Sequence, residues 1–328
     1  MLLNDCTESA DDRATDINED VPRPLDVVCF RLLSQMRVAT VEEYPKADSG
    51  AVISSLTELI CADAAITCVT LNGLGCRVGL ISNDAGNDPD GRELLDRLKR
   101  TGIVTAATLL GDVSTPFAFA VVDRDGNRTW FSFLSNAVES LLTADPSLVC
   151  QTDIVYVDVY PEIWQASVRG IDRAIELRVP IFVNLSGSMP DEELGRRLQH
   201  GVSVIQRPAA GQSIEQAREM AQTLFDSYSA SLCVLTMGRH GVVYTNHSGT
   251  WHLPAHAVKV ASTAGAGAAF SAGLIFGRVQ SWPDDEAVAF ANALAGLFCS
   301  AASGISCFSA REVMEFAASR RLQLAKLC

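Results

Sequence analysis

Four short β-rich runs, DIVYVDVY, VPIFVNLS, VSVIQRP and SLCVLTMG, lie between Asp153 and Gly238 and are separated by segments of helical apolar spacing, Glu162 to Leu177 and SIEQAREMAQTLFDSY. No other feature of the chain narrows its fold as much. Strands that recur after intervening helices pair in parallel, and a parallel sheet needs helices over both faces, so the pattern predicts an α/β fold with a mostly parallel central sheet. Upstream, LDVVCF from Leu25 and CRVGLIS from Cys76 read as two more buried strands. ELICADAAITCVTLNGLG, starting at Glu58, has the spacing of a helix that stops near Gly73 to Gly75. DPDGRELLDRLKRTGI carries acids early, bases late and a terminal glycine, the charge order a helix dipole favours, with Asp90 in the capping position. TPFAFAVVDRDGNRTWFSF alternates around Asp125-Gly126 and predicts a hairpin in a small separate sheet.

Composition limits the function classes. The 328 residues include 48% hydrophobic and 20% charged residues, which is the balance of a folded chain. Residues 1–24 are the exception: rich in acids and ending in prolines, they predict a mobile tail before a fold that starts at Leu25. A formal charge of -13 opposes nonspecific binding to a phosphate backbone, so nucleic acid is not an expected partner. No run of about 18 apolar residues suggests a membrane span, and the N-terminus lacks the pattern of a secretory signal, which together imply a cytoplasmic protein without a membrane partner. The ten cysteines are dispersed without a CxxC pair and read as small core residues in a reducing compartment.

The stretch VASTAGAGAAFSAG, Val260 to Gly273, is the clearest chemical signal. Gly265, Ala266 and Gly267 leave the backbone bare at the entrance of an apolar helix predicted over Ala268 to Trp282, an arrangement that aims amide N–H groups at an anion. A tight turn made only for packing is the plainer reading of the same glycines. Asp84, Asp88 and Asp90 could be metal ligands but read better as helix caps; His252 and His256 have a proline-interrupted spacing and read as exposed strand residues rather than a metal pair; His240 reads as a solvent-facing turn residue.

Four motifs in order, GNDPDGRELLDRLKRTGI, DRDGNRTWF, TMGRHG and STAGAGAAFSAG, together resemble the ribokinase-like, or PfkB-type, carbohydrate kinases. The resemblance implies one ribokinase-like α/β domain over residues 25–328, with a small β-sheet lid built from about 31–56 and 113–135. It implies transfer of a phosphoryl group from ATP to a sugar or nucleoside hydroxyl, and a possible homodimer through the lid sheet. It places Gly265, Ala266 and Gly267 as an anion hole, Thr236, Gly238, Gly241 and Asn292 around the nucleotide, and Met36, Cys61, Ala62 and Ile66 at the acceptor pocket.

The departures are as specific as the matches. The family's loop ends in an aspartate that takes the alcohol proton, and Ala268 stands there; the acid usual at the loop's start is Ser262. The N-x-x-E motif becomes Pro208 and Gly211, and a D-x-N pattern becomes Asn184 and Ser186. With no base and no metal-linked acids, the expectation is a pseudokinase with no catalytic residue, ATP or ADP as its candidate ligand, no protein metal ligand and magnesium doubtful. The alternative is an ATP-dependent small-molecule kinase, or a repurposed biosynthetic enzyme with an apolar acceptor pocket.

Overall fold

The computed structural model describes residues 24–59, 63–124, 128–186, 190–301 and 307–327. The expected N-terminal tail, the hairpin turn at Asp125-Gly126, and Cys61 and Ala62 of the expected pocket lie outside the described residues. In chain order the elements are β1 (Leu25–Phe30), β2 (Gln35–Val41), β3 (Ile53–Leu59), α1 (Asp63–Gly73), β4 (Val78–Ile81), β5 (Ala85–Gly86), α2 (Pro89–Thr101), β6 (Val104–Thr105), β7 (Leu109–Leu110), β8 (Phe117–Val122) and β9 (Arg128–Phe133). They continue with α3 (Ala137–Thr143), β10 (Thr152–Asp158), α4 (Trp164–Glu176), β11 (Ile181–Asn184), α5 (Glu192–Leu198), β12 (Val202–Pro208), α6 (Ile214–Ser227), β13 (Leu232–Thr236), β14 (Val242–Asn246), β15 (Gly249–Leu253), α7 (Ala266–Val279), α8 (Asp284–Ser300), α9 (Ala310–Ser319) and β16 (Ala325–Leu327).

The large sheet runs β16-β15-β14-β13-β12-β11-β10-β1-β4-β6, parallel from β13 to β6 and antiparallel at the β14–β16 edge. Side chains alternate across it. Cys29, Tyr156 and Phe182 face a core shared with α1, α7 and α8, while Val28, Phe30 and Val157 face a second core under α3 to α6. This is the mostly parallel sheet with helices on both faces that the alternating runs predict.

The four-stranded sheet β3-β2-β8-β9 is small and separate, and it is the sheet expected to serve as the lid. Its segment β2 leaves β1 through Arg31–Ser34, and that crossing is clamped by buried Asn83, whose side chain accepts from Leu33 N–H at 2.7 Å and donates to Leu33 C=O at 2.9 Å.

Local sequence accounts for most boundaries, with three corrections. The helix read from Glu58 starts only at Asp63, because Glu58 and Leu59 are drawn into β3 opposite Arg37 and Met36. The cap of α2 is Asp88, not Asp90: Asp88 accepts from Gly91 N–H at 2.8 Å, whereas Asp90 sits inside the first turn and pairs with Arg37 at 3.0 Å. Burial alone would raise the Asp88 carboxyl, but hydrogen bonds from the Thr115 hydroxyl and from the Thr115 and Gly91 N–H groups outweigh it and hold the carboxyl below its usual range. Finally, α7 begins at Ala266, so the glycine loop already forms its first turn.

Among the described cysteines, Cys29, Cys68, Cys76 and Cys233 are buried as expected, whereas Cys307 is exposed. Burial pushes the Cys233 thiol up to about 12, which leaves it an unreactive core group.

Candidate functional site

Adjacent parallel strands end in register, and this creates the floor of the site. Asp158 of β10, Asn184 of β11 and Gln206 of β12 stand side by side at the carboxyl ends of their strands, the edge where open α/β sheets bind ligands. Asp158, fully buried, forms an ion pair with Arg31, which emerges from the neighbouring β1. The Tyr156 hydroxyl donates to Asp158 at 2.8 Å, and Asn184 donates to the same oxygen at 3.0 Å. Burial, then the Asp158 charge, push the Tyr156 phenol well above its ordinary value, so it stays protonated and donates.

Arg31 also donates to the Thr67 hydroxyl and lies over the Tyr156 ring, 5.1 Å from its centroid. From α7, Ser271 donates to Gln206 at 3.1 Å, lies 3.3 Å from the Tyr156 hydroxyl, and closes the network. A buried ion pair is tolerated when its remaining donors and acceptors are satisfied, and here they are tied into strands, α1 and α7 together.

Above this floor the glycine loop enters α7. Gly265 has φ +82°, and a Cβ there would lie 2.7 Å from Ile66 Cδ1 and 3.0 Å from Phe298 Cε1. Its glycine is therefore required by conformation and packing. Gly267 differs: an added Cβ would meet nothing within 4 Å, and the residue faces open space. The N–H groups of Gly267 and Ala268 belong to the first turn, where a helix has no acceptor of its own to offer, so they remain available to an anion. Packing thus accounts for Gly265, while Gly267 is a glycine that packing does not require.

A cavity of about 380 Å³ lies between floor, loop and lid. Gly265, Gly267 and Ala268 form one end, Arg31 and Asp158 the bottom, and Met36, Ala118 and Trp130 part of the lid wall. Of the acceptor residues expected from sequence, Met36 does line the cavity. Ile66 does not: it is buried beneath Gly265 and supports the loop from below. The Ala268 methyl stands on the cavity, so no carboxylate projects from the loop. Two carboxylates reach the cavity by other routes, Asp158 held by Arg31 and the exposed Glu162 at the rim.

The residues expected around a nucleotide lie elsewhere. Thr236 ends β13, and the turn that follows is fixed by Met237 N–H donating to Gly241 C=O at 2.8 Å. Gly241 is glycine because a Cβ would collide with Leu253 C=O at 2.1 Å; Gly238 has open space around it. Asn292 is buried on α8 and donates to Pro254 C=O at 2.8 Å, so its amide is engaged in holding the loop after β15. His240 is exposed as expected. His256 is not: it is buried and packs on Phe316 with 5.0 Å between centroids, because the chain turns inward after Leu253. Burial, then Arg320, lower its pKa.

Asp84 and Asp88 are occupied by Thr108, Ser140, Thr115 and Gly91, and no group of three or more potential metal ligands occurs among the described residues. Sequence reasoning missed the Arg31–Asp158 pair. Its signals were an arginine directly after LDVVCF and an aspartate inside VYVDVY, charges at the ends of otherwise apolar strands.

A mostly parallel sheet, a small-sheet lid and a glycine-opened helix meeting at one cavity define the ribokinase-like class. The chain belongs to the pfkB family of carbohydrate kinases, whose model matches residues 27–311. It is similar to the nucleoside kinase of Methanothermobacter thermautotrophicus, 28% identical over an alignment of 129 positions, with coverage of 34% of this chain and 41% of that protein. The chain thus matches less than half the length of that curated relative. Two solved structures share the fold: Arabidopsis thaliana ribokinase complexed with ribose and ATP (TM-score 0.72, 16% identity, 89% of this chain and 98% of that one), and an Escherichia coli protein provisionally named ribokinase II, in complex with ATP and Mg²⁺ (TM-score 0.72, 15% identity, 90% and 100%).

The donor set fits a phosphate, since the Gly267 and Ala268 amides stand at the N-terminus of α7. Mg²⁺ that arrives with a nucleotide is held mainly by phosphate oxygens and water and needs only one or two carboxylates. The scarcity of acids in this site is therefore no argument against magnesium, contrary to the expectation from sequence. No helix among the described residues is long and apolar enough to cross a membrane.

Proposed function

We propose that the protein is a PfkB-type kinase that transfers a phosphoryl group from ATP to an alcohol on a small molecule in the 380 Å³ cavity, and does so slowly. One observation carries this reading: Gly265, Gly267 and Ala268 belong both to the glycine loop that opens α7 and to the cavity wall, so a phosphate held by that helix N-terminus would abut an acceptor in the cavity. The names of the relatives, a nucleoside kinase and a ribokinase with ribose and ATP, support it. Phosphoryl transfer depends chiefly on positioning and charge neutralisation, and loss of a general base costs on the order of 10²–10⁴ in rate rather than the whole reaction. Glu162, at the rim, is the carboxylate left to accept the alcohol proton.

Transfer from ATP and Mg²⁺ to a panel of sugars, nucleosides and simple alcohols, followed by phosphorus NMR, tests it. A phosphate ester that forms only with enzyme is expected; hydrolysis or silence across the panel refutes it.

The second reading is a pseudokinase that acts by binding or regulation. Ala268 favours it, together with Pro208 and Gly211 in place of the acid-bearing motif. Thermal shifts with ATP, ADP and AMP, with and without Mg²⁺, separate the two. A shift strengthened by Mg²⁺ favours the kinase, and a metal-indifferent shift the binder. A protein or homodimer partner belongs to either reading: the outer face of the lid exposes Phe131 by 62% and Phe133 by 46%, apolar side chains that a partner would cover. Light scattering that gives a monomer mass would remove the dimer.

A further inference from the structure

We propose that the molecule this cavity accepts is amphiphilic, with an apolar ring system against the lid and a single hydroxyl at the α7 loop, and that Ala118 and Trp130 select it. This rests on the reading of the cavity as the acceptor site and names the acceptor's chemistry.

The lid register carries the argument. Met36 pairs with Ala118 and Ala118 with Ser132; Val38 pairs with Ala120 and Ala120 with Trp130. All six line the cavity, and only Ser132 brings an oxygen. Strand β8 reads FAFAVV, with Phe117 and Phe119 on the outer face, where Phe117 meets Arg37 and Phe133, and alanines on the inner one. A strand that puts its large side chains away from a cavity and its small ones toward it leaves room for a ligand. Trp130 offers a ring 63% exposed on the inner wall, an apolar surface that a flat ligand can cover.

The floor supplies an independent reason. A polyhydroxylated ligand leaves its hydroxyls unsatisfied unless the site answers them. Here the floor's polar groups are largely committed to one another, Asp158 to Arg31, Tyr156 and Asn184, and Gln206 to Ser271, which leaves Ser34, Tyr160, Glu162 and Thr263 as the other polar side chains of the lining away from the lid wall. At the loop, the Gly267 and Ala268 amides serve an oxygen at one end only. The cavity's polar side chains gather at the floor, loop and rim, while its lid wall is apolar apart from Ser132, a gradient that suits an amphiphile.

The test titrates the full chain, without nucleotide, with D-ribose, uridine and 2-(2-naphthyl)ethanol, reading tryptophan emission and calorimetric heat. The naphthyl alcohol is expected to bind roughly tenfold or more tightly than either polar probe. Trp130→Phe should remove most of its emission change. Ala118→Leu should weaken it by roughly tenfold or more, with circular dichroism and thermal midpoint unchanged. Tighter binding of ribose or uridine, no saturable binding of the naphthyl alcohol, or indifference of that binding to Ala118→Leu overturns the inference. Because no nucleotide is present, binding persists even where the kinase reading fails for lack of turnover; turnover on ribose without naphthyl binding defeats this inference alone.

Discussion

The floor and the lid wall of the cavity are built on opposite principles. The floor is a buried polar network in which Arg31, Asp158, Tyr156, Asn184, Gln206 and Ser271 bond to one another and hold four parallel strands to α7, with Asn184 Oδ1 left over as an acceptor. The wall is an exposed, mostly apolar surface on a four-stranded sheet joined to the body through the Asn83 clamp. A change in the floor is therefore expected to act on folding before chemistry, and a change in the exposed wall to leave the fold alone. The loop at Gly265–Ala268 belongs to both, and its residues divide accordingly.

The largest effect expected from breaking this contrast is chemical. Ala268→Asp puts a carboxylate at the loop's mouth and should raise phosphoryl transfer by about 10²–10⁴-fold, measured as initial rate on any acceptor the wild type phosphorylates. An unchanged rate would mean that proton removal is not what limits this site. Asp158→Ala leaves a buried guanidinium without its counter-charge and should cost about 3–5 kcal/mol in urea denaturation. The double change Arg31→Met with Asp158→Leu should recover most of that, and a single variant as stable as the wild type would show the floor to be less coupled than described.

The glycine pair sharpens the point at intermediate size. Gly265→Ala, at φ +82° and against Ile66 and Phe298, should destabilise by about 1–3 kcal/mol, whereas Gly267→Ala should stay within about 1 kcal/mol. Equal losses at the two positions would erase the distinction between a packing glycine and an open one.

The smallest effect concerns Asp88, outside both regions. Its folded carboxyl is held below the ordinary range, so the stability it supplies is full above the unfolded carboxylate pKa and fades as pH falls through the lower folded value. Asp88→Asn should flatten the acid limb of the stability curve below about pH 4, and Asp88→Ala should cost about 1 kcal/mol at neutral pH through loss of the cap. An acid limb identical in the wild type and Asp88→Asn would contradict the assignment.

Local order was readable because local physics fixes it. The runs that became β10 to β13 are apolar and β-branched, α2 carries its charges in dipole order and ends at Gly102 with φ +78°, and Ser213 with Gln216 closes a capping box on α6. Errors arose where a distant partner outweighed local preference. Glu58 and Leu59 continue β3 because β2 offers a ladder, and His256 is buried because α9 brings Phe316 over it. In the candidate site, the motif order points to Met36, which lines the cavity, and equally to Ile66, which instead lies against Gly265, since a helical pattern shows which residues are apolar and not which neighbour they meet.

By itself the sequence determined the alternation of strands and helices, the membership motifs, the glycine entrance to α7 and the methyl group of Ala268, all of which follow from covalent order and side-chain chemistry. Only the tertiary structure decided that Arg31 and Asp158, 127 positions apart (158 − 31) in the sequence, neutralise one another, and that the alanines of FAFAVV face a cavity while its phenylalanines face away. Strand order and register set those facts. Which strand lies beside which is a property of the assembled sheet, and no short stretch of chain contains it.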